Sequence, residues 1–412
     1  MVPRTESDLL QSLRGISRDI YNIKRRIGSP LPPVEETIAV VSGIGSGPFV
    51  YDYLIDKNWA TIVAAGGGSE GETFTTFHGH TFKVYSTIEA AVSDANTNRQ
   101  TVLQSTSFFI VGTGVGTSIY QVATTISLDP PSAGSYHLYG SGADTVTIEG
   151  MMSSGILFDI PTQSLDSLVE FHHIEIKTSQ PITLIQGGGS TRIALDNCWL
   201  RPNHSGATAI SPGNSGVGWN ISNTNIEGSG FGIAAIGISL MGIRLTNCYI
   251  AVSTGIQMTN DAQVYLSNVR FQCSVADVAI GATSGALAFA ASNCEFNNGI
   301  IFNSGASLCF FESFIVNGCI FILSGSETGI NYAGATGTNT LLACRSHSIV
   351  GNAFWTTSAS AVGIRGGSVT ANGPKQVAIV GNSFNGFTAG NEIIDMNRVA
   401  DGNEIAHNTT DA

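Results

Sequence analysis

Acidic side chains are the first place to look for chemistry in this chain, because paired carboxylates cleave glycosidic bonds. One protonates the leaving oxygen while the other attacks or activates water, with the two groups about 5 to 9.5 Å apart. Glu170 and Glu175 flank His172-His173, and Asp196 and Glu227 follow. Asp196 and Glu227 each flank a repeated asparagine, Asn197 and Asn223. They form the best catalytic pair if those segments stack as neighbouring layers. The competing reading is that any surface must place its few acids on some face. A lyase would want a Lys, Arg or Tyr base beside acid-bound calcium, and no such cluster stands out. Aromatic rings offer a second chemistry: Trp199, Trp219 and Tyr249 could stack on sugars, with Trp355 a further candidate. Burial in a core or at a subunit contact competes with that role. His78 and His80 lie two residues apart and would point the same way, towards a metal, only in an extended segment. Ser nucleophile signatures, phosphate loops and dinucleotide fingerprints are absent, and the Gly112-Thr-Gly114-Val-Gly116 stretch has no helix after it.

The elements that would position these residues repeat. An alternating apolar strand, an Asn, a small residue and another apolar residue recur as Ile193-Ala-Leu-Asp-Asn197-Cys-Trp-Leu200, Trp219-Asn-Ile-Ser-Asn223-Thr-Asn-Ile226 and Ile243-Arg-Leu-Thr-Asn247-Cys-Tyr-Ile250. Further copies carry Asn268, Asn293 and Asn317, and looser ones Asn352, Asn382 and Asn408. The six asparagines from Asn197 to Asn317 are 21 to 26 residues apart. A fixed period of that size means a solenoid. Each repeat is too small to bury its own apolar face, so stacking must supply the core. Equivalent positions would then lie about 4.8 Å apart. The expectation is a structural Asn ladder inside the turns, satisfying amides otherwise buried. Cys198, Cys248, Cys294 and Cys319 follow repeat asparagines and should stack as small apolar residues. At about 25 residues per coil, residues 143–412 give on the order of ten coils, a shaft roughly 50 Å long.

The N-terminus obeys a different period. Leu9, Leu13, Ile16, Ile20, Ile23 and Ile27 keep an unbroken a/d heptad register. Gly28, Pro30, Pro32 and Pro33 stop the helix. Isoleucine at both a and d shifts preference from dimers to higher states, so a homotrimeric coiled coil is expected. A helix docked on its own domain is the alternative. The organisation read is coiled coil 1–28, linker and small β-rich neck 29–81, lead-in module with a capping helix 82–142, and shaft 143–412.

Composition agrees with many short strands and tight turns. The 412 residues include 49 Gly, 42% are hydrophobic and only 12% charged. The net charge of -12 argues against nucleic acid or an anionic membrane as partner. No run of 18 apolar residues occurs, so no membrane insertion is expected. No secretory signal is read at the N-terminus, which suits synthesis in a host cytoplasm.

Residues 82–150 carry a more specific pattern. Phe82-Lys-Val-Tyr85 precedes a Ser/Thr-capped helix, then Phe108-Phe-Ile-Val111, Tyr120 to Leu128, and Tyr136-His-Leu-Tyr-Gly140-Ser-Gly142. This order resembles the start of pectate-lyase-like right-handed β-helices in phage tailspikes, with Gly114, Tyr120, Gly140 and Gly142 in comparable places. The resemblance spans about 82–412. It implies an all-β, right-handed parallel β-helix in a bacteriophage tail spike, tail fibre or minor tail protein. Its partners would be two further copies of itself, other tail or baseplate proteins, and host envelope polysaccharide. His78-Gly-His80 resembles the axial iron motif of some trimeric phage fibres; no other cofactor is implied. Two rivals share the scaffold: a polysaccharide depolymerase (glycoside hydrolase or lyase) and a purely architectural virion spacer.

Overall fold

A computed structural model describes residues 51–75, 81–98, 104–112, 118–142, 146–161, 167–187, 191–212, 218–236, 242–259, 262–281, 286–302, 310–332, 347–366, 377–396 and 404–411. The heptad residues Leu9, Leu13, Ile16, Ile20, Ile23 and Ile27, and the pair His78 and His80, lie outside them.

Period-two alternation makes each repeat a strand with one buried face. In Arg192–Asp196 the side chains of Ile193 and Leu195 are buried while Arg192, Ala194 and Asp196 face outwards. Such a strand cannot satisfy its backbone alone, so it pairs with its equivalents one repeat away. Among the described residues the result is three sheets of 15, 12 and 11 strands running along one axis. Coils one to eleven each contribute one strand to every sheet, coil twelve contributes to the first two, and the pairing between coils is parallel throughout. This is an all-β parallel β-helix.

Counting by first-sheet strands, coil one starts at Ser105–Ile110, coil two at Ser135–Gly140, coil three at Leu168–His172 and coil four at Arg192–Asp196. Coils five to eight start at Trp219–Ser222, Ile243–Thr246, Gln263–Ser267 and Ala286–Ser292. Coils nine to twelve start at Phe310–Asn317, His347–Val350, Ala378–Val380 and Glu404–Ala406. Coiling is therefore under way at Ser105, inside the segment 82–142. Before it, the first sheet continues through Tyr53–Ile55, Thr81–Tyr85 and an antiparallel edge strand, Glu72–Thr75. A helix, Ile88–Asn98, closes that end by burying Ile88, Ala91, Val92 and Ala95 against the core. Among the described residues no helix is long and apolar enough to cross a membrane.

From coil three onwards the passage from first to second sheet takes two residues, and its conformation explains the repeat phrase. The first turn residue is left-handed in coil after coil: His173, Asn197, Asn223, Asn247, Asn268 and Asn293 have φ between 49° and 56°. Asn visits that region more readily than other residues with a side chain. These asparagines are exposed, so the expectation of buried amides is corrected for them. Backbone conformation, not burial, calls for Asn here. Some still link through side chains: Asn268 Nδ2 donates to Asn247 Oδ1 at 2.7 Å, and Asn247 Nδ2 to Asn223 Oδ1 at 3.4 Å. Asn317 departs from the column, because it sits one residue early and Gly318 (φ 63°) makes the turn.

The buried ladder lies one position further on. In coils four, six, eight and nine that second turn residue is Cys198, Cys248, Cys294 and Cys319, all buried free thiols, and in coils three, five and seven it is Ile174, Thr224 and Val269. It then becomes Asn352, Asn382 and Asn408. Asn352 Nδ2 donates to Asn382 Oδ1 at 2.9 Å, and Asn382 Nδ2 to Asn408 Oδ1 at 3.0 Å. Inside the second sheet a stack of rings runs through Phe271, Phe296, Phe321, Phe354 and Phe384, with centroids 4.5 to 5.1 Å apart.

Candidate functional site

The outer face of the first sheet gathers titratable groups on coils two to five. Tyr136 and Leu138 fill the core, which turns His137 and Tyr139 outwards. Val169 and Phe171 do the same for Glu170 and His172 on coil three. Parallel register then sets His137 beside Glu170, and Tyr139 beside His172, which is followed by Asp196 and Ser222. The columns are built by backbone pairing, so the side chains meet without long-range searching.

Glu170 is the centre. Its Oε2 lies 2.6 Å from His137 Nδ1 and 3.3 Å from His172 Nε2. Nε2 of His137 is held by the Ser135 hydroxyl at 2.8 Å. The Tyr139 ring stacks on the His172 ring with centroids 4.7 Å apart and 12° between planes. Asp196 Oδ1 accepts hydrogen bonds from the Ser222 hydroxyl at 2.7 Å and from Asn223 Nδ2 at 2.9 Å. The hydrogen bonds from His137 and His172 pull the Glu170 carboxyl down to about 2. Burial pushes Asp196 up, but Ser222, Asn223 and the nearby His172 and His173 outweigh it and hold Asp196 below its ordinary value. Burial, then the Glu170 charge, raises the Tyr139 phenol.

Both carboxylates are therefore ionised at neutral pH. Neither keeps a proton to give to a leaving oxygen, which acid catalysis of glycoside cleavage requires. The surface then offers fixed acceptors, imidazole edges, the protonated Tyr139 phenol and a stacked ring pair, suited to holding hydroxyl-rich ligands. Among the described residues no set of three His, Cys, Asp or Glu groups is arranged to hold a metal ion.

A pH prediction follows from the Glu170 hydrogen bonds. Its carboxyl sits below the ordinary 4.5, so the stabilisation is complete above that value and is lost as pH falls through about 2. Carboxyl-carbon NMR should place the Glu170 midpoint well below an unperturbed glutamate. His137→Ala with His172→Ala should return it towards 4.5; an unmoved midpoint would remove the histidines as the cause.

The other expected residues fare unevenly. Asp196 and Glu227 do not form a pair. Asp196 ends a first-sheet strand, whereas Glu227 ends the second-sheet strand Asn225–Glu227, on the far side of the corner at Asn223. Four residues of extended chain from that corner cover about 13 Å. Trp219 is not a sugar platform: it is 3% exposed, because its strand alternation turns it inwards. Trp199 faces outwards, but the Arg201 guanidinium covers its ring at 3.6 Å. The Tyr249 hydroxyl is hydrogen-bonded to Gln272 Oε1 at 2.6 Å. Trp355 is 53% exposed. Glu175 is 9% exposed and paired with Arg201. His137 and Tyr139 also belong to this surface, and the sequence alone does not single them out. Their signal is the alternation in Tyr136-His-Leu-Tyr139, but nothing local tells that His137 meets Glu170, 33 residues away.

No family model matches this chain, and no curated protein sequence matches it. Among solved structures, tailspike protein 3 of bacteriophage CBA120 is similar at TM-score 0.42 and 14% identity, over 78% of this chain and 58% of that one. The chain thus spans somewhat over half the length of that tailspike. The A-module of the mannuronan C-5 epimerase AlgE4 of Azotobacter vinelandii is similar at TM-score 0.38 and 12% identity, over 88% of this chain and 100% of that one. The catalytic domain of a GH87 α-1,3-glucanase is similar at TM-score 0.33 and 10% identity, over 79% and 66%. The parallel strand pairing, rather than these likenesses, defines the fold.

Proposed function

We propose that this chain is the shaft-forming protein of a homotrimeric bacteriophage tail spike or minor tail protein, and that it adsorbs the virion to host envelope glycan. One observation carries the ligand reading: the His137–Tyr139–Glu170–His172–Asp196 surface, with both carboxylates ionised on the lateral face of a rod. Sugars offer hydroxyl donors to such acceptors and C–H faces to such rings. The heptad register at Leu9 to Ile27 supports the trimer. The winding hand follows from the parallel connections, which are right-handed in nearly all proteins. The leading coil would join the spike to other tail or baseplate proteins.

Binding to arrayed bacterial envelope polysaccharides tests the reading. Full-length protein should bind at least one of them, and Tyr139→Ala should weaken binding about tenfold, equivalent to about 1.4 kcal/mol. Glu170→Gln should weaken it further, because it removes the charge that organises both imidazoles. Glycan cleavage, read as new reducing or unsaturated ends, would replace adsorption with depolymerisation. Silence on every polysaccharide would leave the architectural role.

A further inference from the structure

The outer face of the second sheet differs from that of the first. Six of its charged side chains neutralise one another within the chain. Lys177 Nζ lies 3.7 Å from Glu149, Arg201 Nε 3.2 Å from Glu175 and Arg270 Nε 3.0 Å from Glu295. Beyond them, coils nine and ten expose Ile320, Ile322 and Trp355 at 46%, 45% and 53%. Register sets Ile322 directly beside Trp355 and Ile320 beside Ala353, so the three form one patch. Core demand does not explain them, since Phe321, Leu323, Phe354 and Thr356 take the inward positions.

A contiguous Ile–Ile–Trp surface on a sheet face marks a contact. Charge favours one occupant. Copies of a chain at -12 repel one another, and approach is least opposed where charges are already paired. The second-sheet face meets that condition on coils two to four and seven to eight, with Glu227 on coil five outside those pairs, and supplies apolar area at coils nine and ten. The heptad register would align all copies in one direction, so equal heights face each other in a cyclic assembly. We propose that the outer face of the second sheet, centred on Ile320, Ile322 and Trp355, is where copies of this chain pack side by side with shafts parallel. This rests on the trimeric part of the reading above and is independent of its glycan part.

Cysteine cross-linking in the full chain tests it. Ser383 lies on coil eleven, next to Ala353 in register and exposed at the edge of the patch. Ser383→Cys should give covalent oligomers with a short bis-maleimide, whereas Ser267→Cys, exposed on the first-sheet face, should not. Adding Ile322→Glu and Trp355→Glu should reduce the Ser383→Cys product at least tenfold with the circular dichroism unchanged. If that variant misfolds, Trp355→Ala serves, with a smaller loss. Equal cross-linking at both cysteines, undiminished cross-linking in the glutamate variant, or a monomeric wild type would overturn the proposal. So would a Trp355→Ala protein that cross-links normally but no longer binds glycan, which would make the patch a sugar platform. Loss of glycan binding through Tyr139→Ala alone would leave this contact untouched.

Discussion

Phe321→Ala is expected to lower the free energy of unfolding by about 3–5 kcal/mol, the range for deleting a buried aromatic ring. Phe321 is fully buried, with Phe296 below it at 4.9 Å and Phe354 above it at 4.5 Å. The interplanar angles are 17° and 8°. Each ring is fixed to a strand whose spacing is set by backbone hydrogen bonds. The neighbours therefore cannot close the gap without breaking the ladder that holds them, and the full cavity cost applies. Coils couple to their nearest neighbours, so the loss should appear first around coils eight to ten. Hydrogen exchange there should accelerate before the rest of the rod responds. Phe384→Ala should fall at the low end of the range, because Thr410 rather than a sixth ring follows it in register. Denaturant unfolding of both variants measures the difference. A loss under about 1 kcal/mol at Phe321 would mean the core collapses more freely than close packing permits.

The solenoid was legible because two of its requirements have strong residue preferences. Alternation at period two appears as Ile193-Ala-Leu or Ile243-Arg-Leu, and the left-handed corner appears as Asn. Both recur at one period, so they reinforce each other. Legibility failed where another residue could meet the same requirement. Gly318, Gly351 and Gly381 adopt the left-handed corner as easily as Asn, so the asparagine signal drifted to Asn317, one residue off the column. Buried polar groups are also opaque. Nothing local in the sequence marks Asp277, yet it is fully buried and accepts hydrogen bonds from the backbone N–H groups of Cys273, Asn298 and Gly299. Burial pushes its carboxyl up to about 6, with those bonds opposing.

Candidate sites were less legible than the fold because they depend on inter-coil register. Asp196 and Glu227 look equivalent when each is referred to its nearest asparagine. One precedes the corner and the other follows it, which puts them on different sheets. Glu170 stands beside His172 in the sequence, but its shorter contact is with His137. That contact crosses a long connection between coils two and three, outside the even spacing of the later repeats. Trp219 shows the same limit from the other side. Its indole looks like a sugar platform until the alternation of its own strand is anchored to the core, where Ile221 shares its face.

Asn382→Ala should cost about 3 kcal/mol or more, and its contrast with Asn247 separates two roles that one residue type plays. Asn382 Oδ1 accepts from the backbone N–H and the Nδ2 of Asn352, both at 2.9 Å. Its Nδ2 donates to the Ile349 carbonyl at 2.9 Å and to Asn408 Oδ1 at 3.0 Å. Only 1% of Asn382 is exposed, and the same holds for Asn352. Truncation therefore leaves the buried Asn352 N–H without its acceptor, worth about 1–3 kcal/mol, and also removes the bonds to Asn352 Nδ2, the Ile349 carbonyl and Asn408. At the exposed corner Asn247 the backbone is left-handed, φ 54°, a conformation glycine adopts freely. Asn247→Gly should change stability by well under 1 kcal/mol, whereas Asn247→Val should cost about 1–2 kcal/mol through its branched side chain. Equal losses for Asn382→Ala and Asn247→Gly in denaturant unfolding would contradict this division. The repeated asparagines that reveal the fold are then the replaceable ones, and the three irregular copies near the C-terminal end carry the energy, because burial rather than recurrence sets what a polar side chain is worth.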